Sequence, residues 1–315
     1  MEEIQYDRFG FLGMPTTLPD RIPAKPAADV ARILDHAKVP NVLWGWLAVG
    51  LVGLDHRFPQ VDFVVPDDKI EAAKEALIAG GFTLCIDQDC AEQKEDRVAP
   101  DSVDLHGPLG LNEMNTLGAR NRFHPIADIH FHLEPSKYEY YNVLSLFIQS
   151  KTLWSGWWPD LVLTDACTDA KCPDTERFPA DHPHFMLSSD IDLYKCEDGS
   201  GPWAEELYAV KTLKPSLLVE ALIYLFCRDW GHIKSVDEGW QDMILLGLVR
   251  VKRDDQARFI EKDLNPVLQP LWNNLNCRTR KPEGVNKWDI IREFRQSLID
   301  NNRMPPLPPI DLTYR

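Results

Sequence analysis

Asp62 is the only charged residue in the run Gln60-Val61-Asp62-Phe63-Val64-Val65, and a Gly-Trp step, Gly45-Trp46, lies just upstream of it. A carboxylate placed in an otherwise apolar segment costs desolvation unless it has a partner, so its type and place point to cation binding or proton transfer. A second group recurs at Asp128, His130 and His132, every other residue of one short segment. Alternate residues of a strand share a face. With Asp62 nearby, this row could supply carboxylate oxygen and imidazole nitrogen to a transition metal, or a histidine as general base. The three positions span about 13 Å along a strand, so two of them at most suit one ion. A polar cleft wall or a solvated face accounts for the same pattern.

Elements that would hold these residues are visible in the hydrophobic periodicity. The spacing predicts a helix from Ala28 to about Lys38, with Val30, Ile33 and Leu34 on one face, and a short strand from Asn41 to Trp44. Trp46 to Leu54, apolar all round, predicts a buried helix. Val61 to Val65 between Pro59 and Pro66 reads as a strand, followed by a helix capped by Asp67 and stopped at Gly80-Gly81. Phe82 to Ile86 and Ile126 to Leu133 are further strands. In the second, Ala127, Ile129, Phe131 and Leu133 face opposite to Asp128, His130 and His132. Residues 151–204 show little periodicity and read as a loop-rich insertion. Helices are expected from Ser216 through Phe226, over Trp240 to Val251, over Ala257 to Leu275 with breaks at Pro266 and Pro270, and over Val285 to Asn301. The organisation is therefore an α+β chain: residues 1–150 a mixed sheet with flanking helices, 151–204 the insertion, 205–315 a helical C-terminal part.

This arrangement resembles the nucleotidyltransferase-fold superfamily. Its signature is Gly followed by a small residue, a helix, and then acid-apolar-acid on a strand. The stretch GWLAVGLVGLDHRFPQVDFVV is similar to the antibiotic- and toxin-type branches, with Arg57 where these often carry an arginine. The likeness covers about Ala28 to Leu133, a third of the chain. It implies a group-transfer enzyme acting on a small molecule, with nucleotide and Mg²⁺ as cofactors. Asp62 and a third acid from a neighbouring strand would be the metal ligands, and Gly45, Trp46, Gln60 and Arg57 would line the cofactor site. Asp128 is nominated as that third acid, with Asp104 next. Gln60 stands where the signature has its first acid and Trp46 where it has a small residue, so the metal motif is degenerate. A neutral amide is a weak ligand for a hard cation.

Two other functions fit the same residues. The rest of the chain is similar to fungal proteins of uncharacterised role, and its size suits a tRNA-dependent, arginine-using cyclodipeptide synthase of fungal secondary metabolism. Between Arg250 and Arg303, twelve Lys/Arg stand against eight Asp/Glu, leaving +4 in a chain of net charge −15. Such a region is suited to a polyanion such as tRNA, although the chain as a whole repels phosphates. A non-catalytic fold kept for binding a ligand or partner is the third reading.

The remaining motifs are weaker. Ser188-Ser189-Asp190-Ile191-Asp192 has an acid-apolar-acid unit without the preceding glycine turn, which favours turn chemistry. Cys167, Cys172 and Cys196 lack zinc-knuckle spacing, Ser145 has no nucleophile elbow, and Trp154, Trp157 and Trp158 suit packing. Seven cysteines, an odd number, suggest free thiols in a reducing compartment, hence the cytoplasm. No run of about 18 uncharged apolar residues suggests a membrane span.

Overall fold

A computed structural model describes residues 24–53, 60–93, 126–134, 137–138, 143–169, 171–173, 176–190, 193, 202–230, 239–241, 243–244, 260, 263–275 and 287–305. Its framework is a seven-stranded mixed sheet flanked by helices, an α+β architecture. In chain order the elements are α1 (Ala24–His36), β1 (Val42–Trp44), α2 (Gly45–Val52), β2 (Gln60–Val65), a 3₁₀ turn (Asp67–Lys69), α3 (Ile70–Ala79) and β3 (Thr83–Leu84). They continue with β4 (Ile129–His132), β5 (Val143–Ile148), α4 (Gln149–Thr152), β6 (Phe185–Leu187), β7 (Lys211–Leu213), α5 (Pro215–Asp229), α6 (Gln269–Leu275) and α7 (Lys287–Asp300). No described helix is long and apolar enough to cross a membrane.

The strand order is β3-β4-β5-β2-β1-β7-β6. β2 is central: it runs antiparallel to β1 and parallel to β5, and all six of its residues are buried. That explains the continuous apolar run Phe63-Val64-Val65 in its second half. β5, VLSLFI, is buried in the same way, and for the same reason periodicity does not announce it. The sheet draws β6 from the expected insertion and β7 from beyond it, so one sheet spans the chain from residue 42 to 213. α1 packs on α3; a Cβ at Gly80 would collide with Ile33. Phe82 then stacks on Tyr138 and meets the edge of Phe131 from β4.

Two local expectations are corrected. Asp67 does not cap α3, whose N-terminus has no side-chain cap. Its carboxylate accepts the Ser150 N–H at 3.0 Å and the Ser150 hydroxyl at 2.5 Å, and so ties the start of α4 to the end of β2. Cys167 and Cys172 are not free thiols. They form a disulfide, leaving Cys85, Cys90 and Cys227 as the free cysteines among the described residues.

The tryptophans of the 151–204 region are packing residues. Trp157 stacks on Tyr224 of α5 at 4.9 Å, and Trp158 donates its indole N–H to the buried Glu220 of α5 at 3.2 Å. Ser188 and Asp190 lie in the turn after β6, where the Asp190 N–H donates to the Leu187 carbonyl. Asp192 and Cys196 lie outside the described residues.

β7 is locked to α1 by a buried ion pair. Lys211 Nζ lies 2.5 Å from Asp35 Oδ1, with both side chains almost fully enclosed. Asp35 also accepts from Asn41 at 2.7 Å and from Tyr208 at 2.9 Å. Burial pushes the Asp35 carboxyl up and the Lys211 amine down, because the loss of hydration outweighs their mutual attraction.

Candidate functional site

The chain leaves β1 and enters α2 without an intervening loop, and the residue at the junction is left-handed. That residue is Gly45, with φ +65°. It also lets the chain come close to β2. A Cβ at Gly45 would overlap Asp62 Oδ2 and lie 3.1 Å from Asp62 Cγ. The Asp62 carboxylate therefore sits against the N-terminal turn of α2, where the helix dipole favours negative charge. Asp62 is 8% exposed, Trp46 and Gln60 beside it are buried, and Arg57 lies outside the described residues.

Strand register builds a row around Asp62. Trp44 of β1 is opposite Asp62, Asp62 is opposite Ser145 of β5, and Ser145 is opposite His130 of β4. Cys85, just past β3, donates its backbone N–H to the His130 carbonyl and completes the row. Residues directly opposite one another share a face. Trp44, Ser145 and His130 are buried like Asp62, and among the described residues neither Trp44 Nε1 nor Ser145 Oγ has a hydrogen-bond partner. Buried polar atoms without partners are rare, so these two call for an explanation.

The expected pairing of Asp62 with Asp128 is not what the strand order provides. β5 lies between β2 and β4. Asp128 falls two strands across and two residues along from Asp62, a separation of roughly 12 Å from sheet geometry. Its carboxylate is also engaged: Oδ2 accepts the Ile148 N–H at 2.9 Å, and Oδ1 pairs with Lys151 Nζ at 2.5 Å. It anchors the start of α4. Opposite Asp62, the strands on either side place Trp44 and Ser145, neither of them an acid. With Gln60 neutral and Asp128 committed, these residues do not fit a two-Mg²⁺ carboxylate site. Asp104 lies outside the described residues, as do Arg278, Arg280 and Lys281 of the basic 250–303 region.

The two histidines do converge, but with cysteines in place of the acids. One ligand atom each from Cys85, Cys90, His130 and His132 lie within 4.8 Å of one another. Cys90 Sγ is 3.6 Å from His132 Nε2, and the rings of His130 and His132 meet edge to face. The loop from Cys85 to Gln93 folds back over β4. In it Asp87 accepts the Asp89 N–H on its side chain at 2.9 Å, and the Gln93 N–H donates to the Cys90 carbonyl at 3.0 Å. Burial pushes the Cys90 thiol above its ordinary range. The signal in the sequence is Cys85-x4-Cys90 ahead of His130-x-His132; the long separation between the two pairs hides it.

Comparison with models of known protein families, with curated proteins and with solved structures found no match.

Proposed function

We propose that this chain is a nucleotidyltransferase-like protein that carries out group transfer on a small molecule with Asp62 as its single working carboxylate. The observation that carries this is the Asp62 row. The acid is held against Gly45 at the start of α2 and flanked on both neighbouring strands by buried polar atoms that have no partner among the described residues, Trp44 Nε1 and Ser145 Oγ. The order β1, Gly45, α2, β2 with its acid supports the reading, because it is the order of the superfamily signature. In this arrangement Asp62 accepts a proton from an attacking hydroxyl or holds a cationic group. The Ser145 hydroxyl and the Trp44 indole N–H donate to the bound ligand, and the positive end of α2 favours an anionic group on it.

Titration calorimetry with ATP, CTP, GTP and UTP, on the wild type and Asp62→Asn, tests this. One nucleotide should bind, and the variant should keep its fold while affinity falls at least about tenfold, equivalent to about 1.4 kcal/mol. No heat with any of the four, or equal binding by the folded variant, refutes it. A non-catalytic binder is the second reading, favoured by Ser145 standing opposite Asp62 where the two-metal mechanism needs an acid. It predicts nucleotide binding with no transferred product.

A further inference from the structure

We infer that Cys85, Cys90, His130 and His132 form a four-coordinate zinc site that staples the β3–β4 edge of the sheet. Three observations support this. The donor set is two sulfurs and two imidazole nitrogens, the chemistry that selects zinc over hard cations. The four atoms already cluster within 4.8 Å. In addition, Cys90 Sγ and His132 Nε2 are 3.6 Å apart, which is about the separation of a sulfur and a nitrogen sharing one tetrahedral zinc at ordinary bond lengths.

The backbone puts the ligands there for reasons of register. His130 and His132 are alternate residues of β4 and project to one face, and Cys85 is paired across from His130. The turn at Asp87–Asp89 brings Cys90 back over the same face. The Gln93 side-chain amide lies 2.9 Å from His130 Nδ1. The atom facing the ring is Gln93 Nε2; reversing the amide puts Oε1 there to accept the Nδ1–H and leaves His130 Nε2 for the metal, the usual way a ligating histidine is oriented. When the ion binds, each thiol releases its proton to solvent, and two thiolates balance the +2 charge.

Four protein ligands leave no open position, so the ion is structural rather than catalytic. Its effect falls where the sheet is weakest. β3 has two residues, Thr83 and Leu84, and its partner β4 has four. The inference is independent of the nucleotide reading, since its ligands exclude Asp62.

The full chain, purified under reducing conditions without added metal, should contain about one zinc per molecule. After removal of zinc, Co²⁺ should give the intense visible bands of a tetrahedral S₂N₂ site together with thiolate charge transfer. Cys90→Ser should lose the metal, whereas Cys227→Ser, at a buried thiol in α5, should retain it. Absence of stoichiometric zinc with no tetrahedral Co²⁺ spectrum on the wild-type chain overturns the inference, whether or not the variants fold. So does a Cys85–Cys90 disulfide in the reduced preparation.

Discussion

Replacing Gly45 by alanine tests the geometry on which the Asp62 row depends. Two costs apply. An L-residue at φ +65° is strained by about 1–2 kcal/mol. The new methyl would also overlap Asp62 Oδ2 and press on Cγ at 3.1 Å. Forcing one carbon into a filled site costs about 1–3 kcal/mol more. Gly45→Ala should therefore destabilise the chain by about 2–5 kcal/mol, read from urea unfolding at unchanged m. The two terms separate in a double-mutant cycle. In an Asp62→Ala background the carboxylate is gone, and only Asp62 Cβ remains, at 3.3 Å. The glycine substitution should then cost only the backbone term, so the cycle should show about 1–3 kcal/mol of coupling. A total cost below about 1 kcal/mol, or the same cost in both backgrounds, would refute the close approach of Gly45 to Asp62.

Lys211→Met should cost about 3–5 kcal/mol, because it leaves Asp35 buried without its cation; a urea midpoint equivalent to within about 1 kcal/mol of wild type would mean the pair carries little. Tyr208 supplies a pH dependence. Burial, followed by the nearby Asp35 charge, pushes its phenol from the ordinary value near 10 up to about 12. The protonated form is thus favoured by folding, and this contribution is complete below pH 10 and lost as pH rises through 12. Thermal melts between pH 9 and 12 should fall less steeply for Tyr208→Phe than for wild type, and parallel curves would contradict the assignment.

What was legible in the sequence is local. The run α1-β1-α2-β2-α3 follows from helical periodicity in Val30, Ile33 and Leu34, from the all-apolar α2, and from the Pro66 and Gly80-Gly81 boundaries. The facing of His130 and His132 follows from alternation. β5 was not legible. Its only polar residue is Ser145, and a strand buried on both faces has no alternation to display. That single omission is why Asp62 and Asp128 were expected on adjacent strands. β6 and β7, at three residues each, are shorter than any window in which a period can be counted. Asp67 and Asp128 share another limit. Each is engaged at the start of α4, at Ser150 and at Ile148 and Lys151 respectively, and nothing in the local sequence names a partner so far along the chain.

The sheet face that holds Asp62 also explains why two metal chemistries, both suggested by the sequence, separate in space. Hard cations need several oxygens around one point, and the strands on either side of Asp62 put an indole and a hydroxyl opposite it. Borderline cations need nitrogen and sulfur, and these gather beyond Ser145, at the β3–β4 edge. His130 belongs to both arrangements: it stands opposite Ser145 in the row and supplies one of the four clustered donors. A metal held there would fix β3 and the loop after it against β4, the strand whose His130 stands opposite Ser145. Under the two proposals, the ion would hold the edge of the framework and the centre of the sheet would present a single carboxylate with the polar atoms beside it.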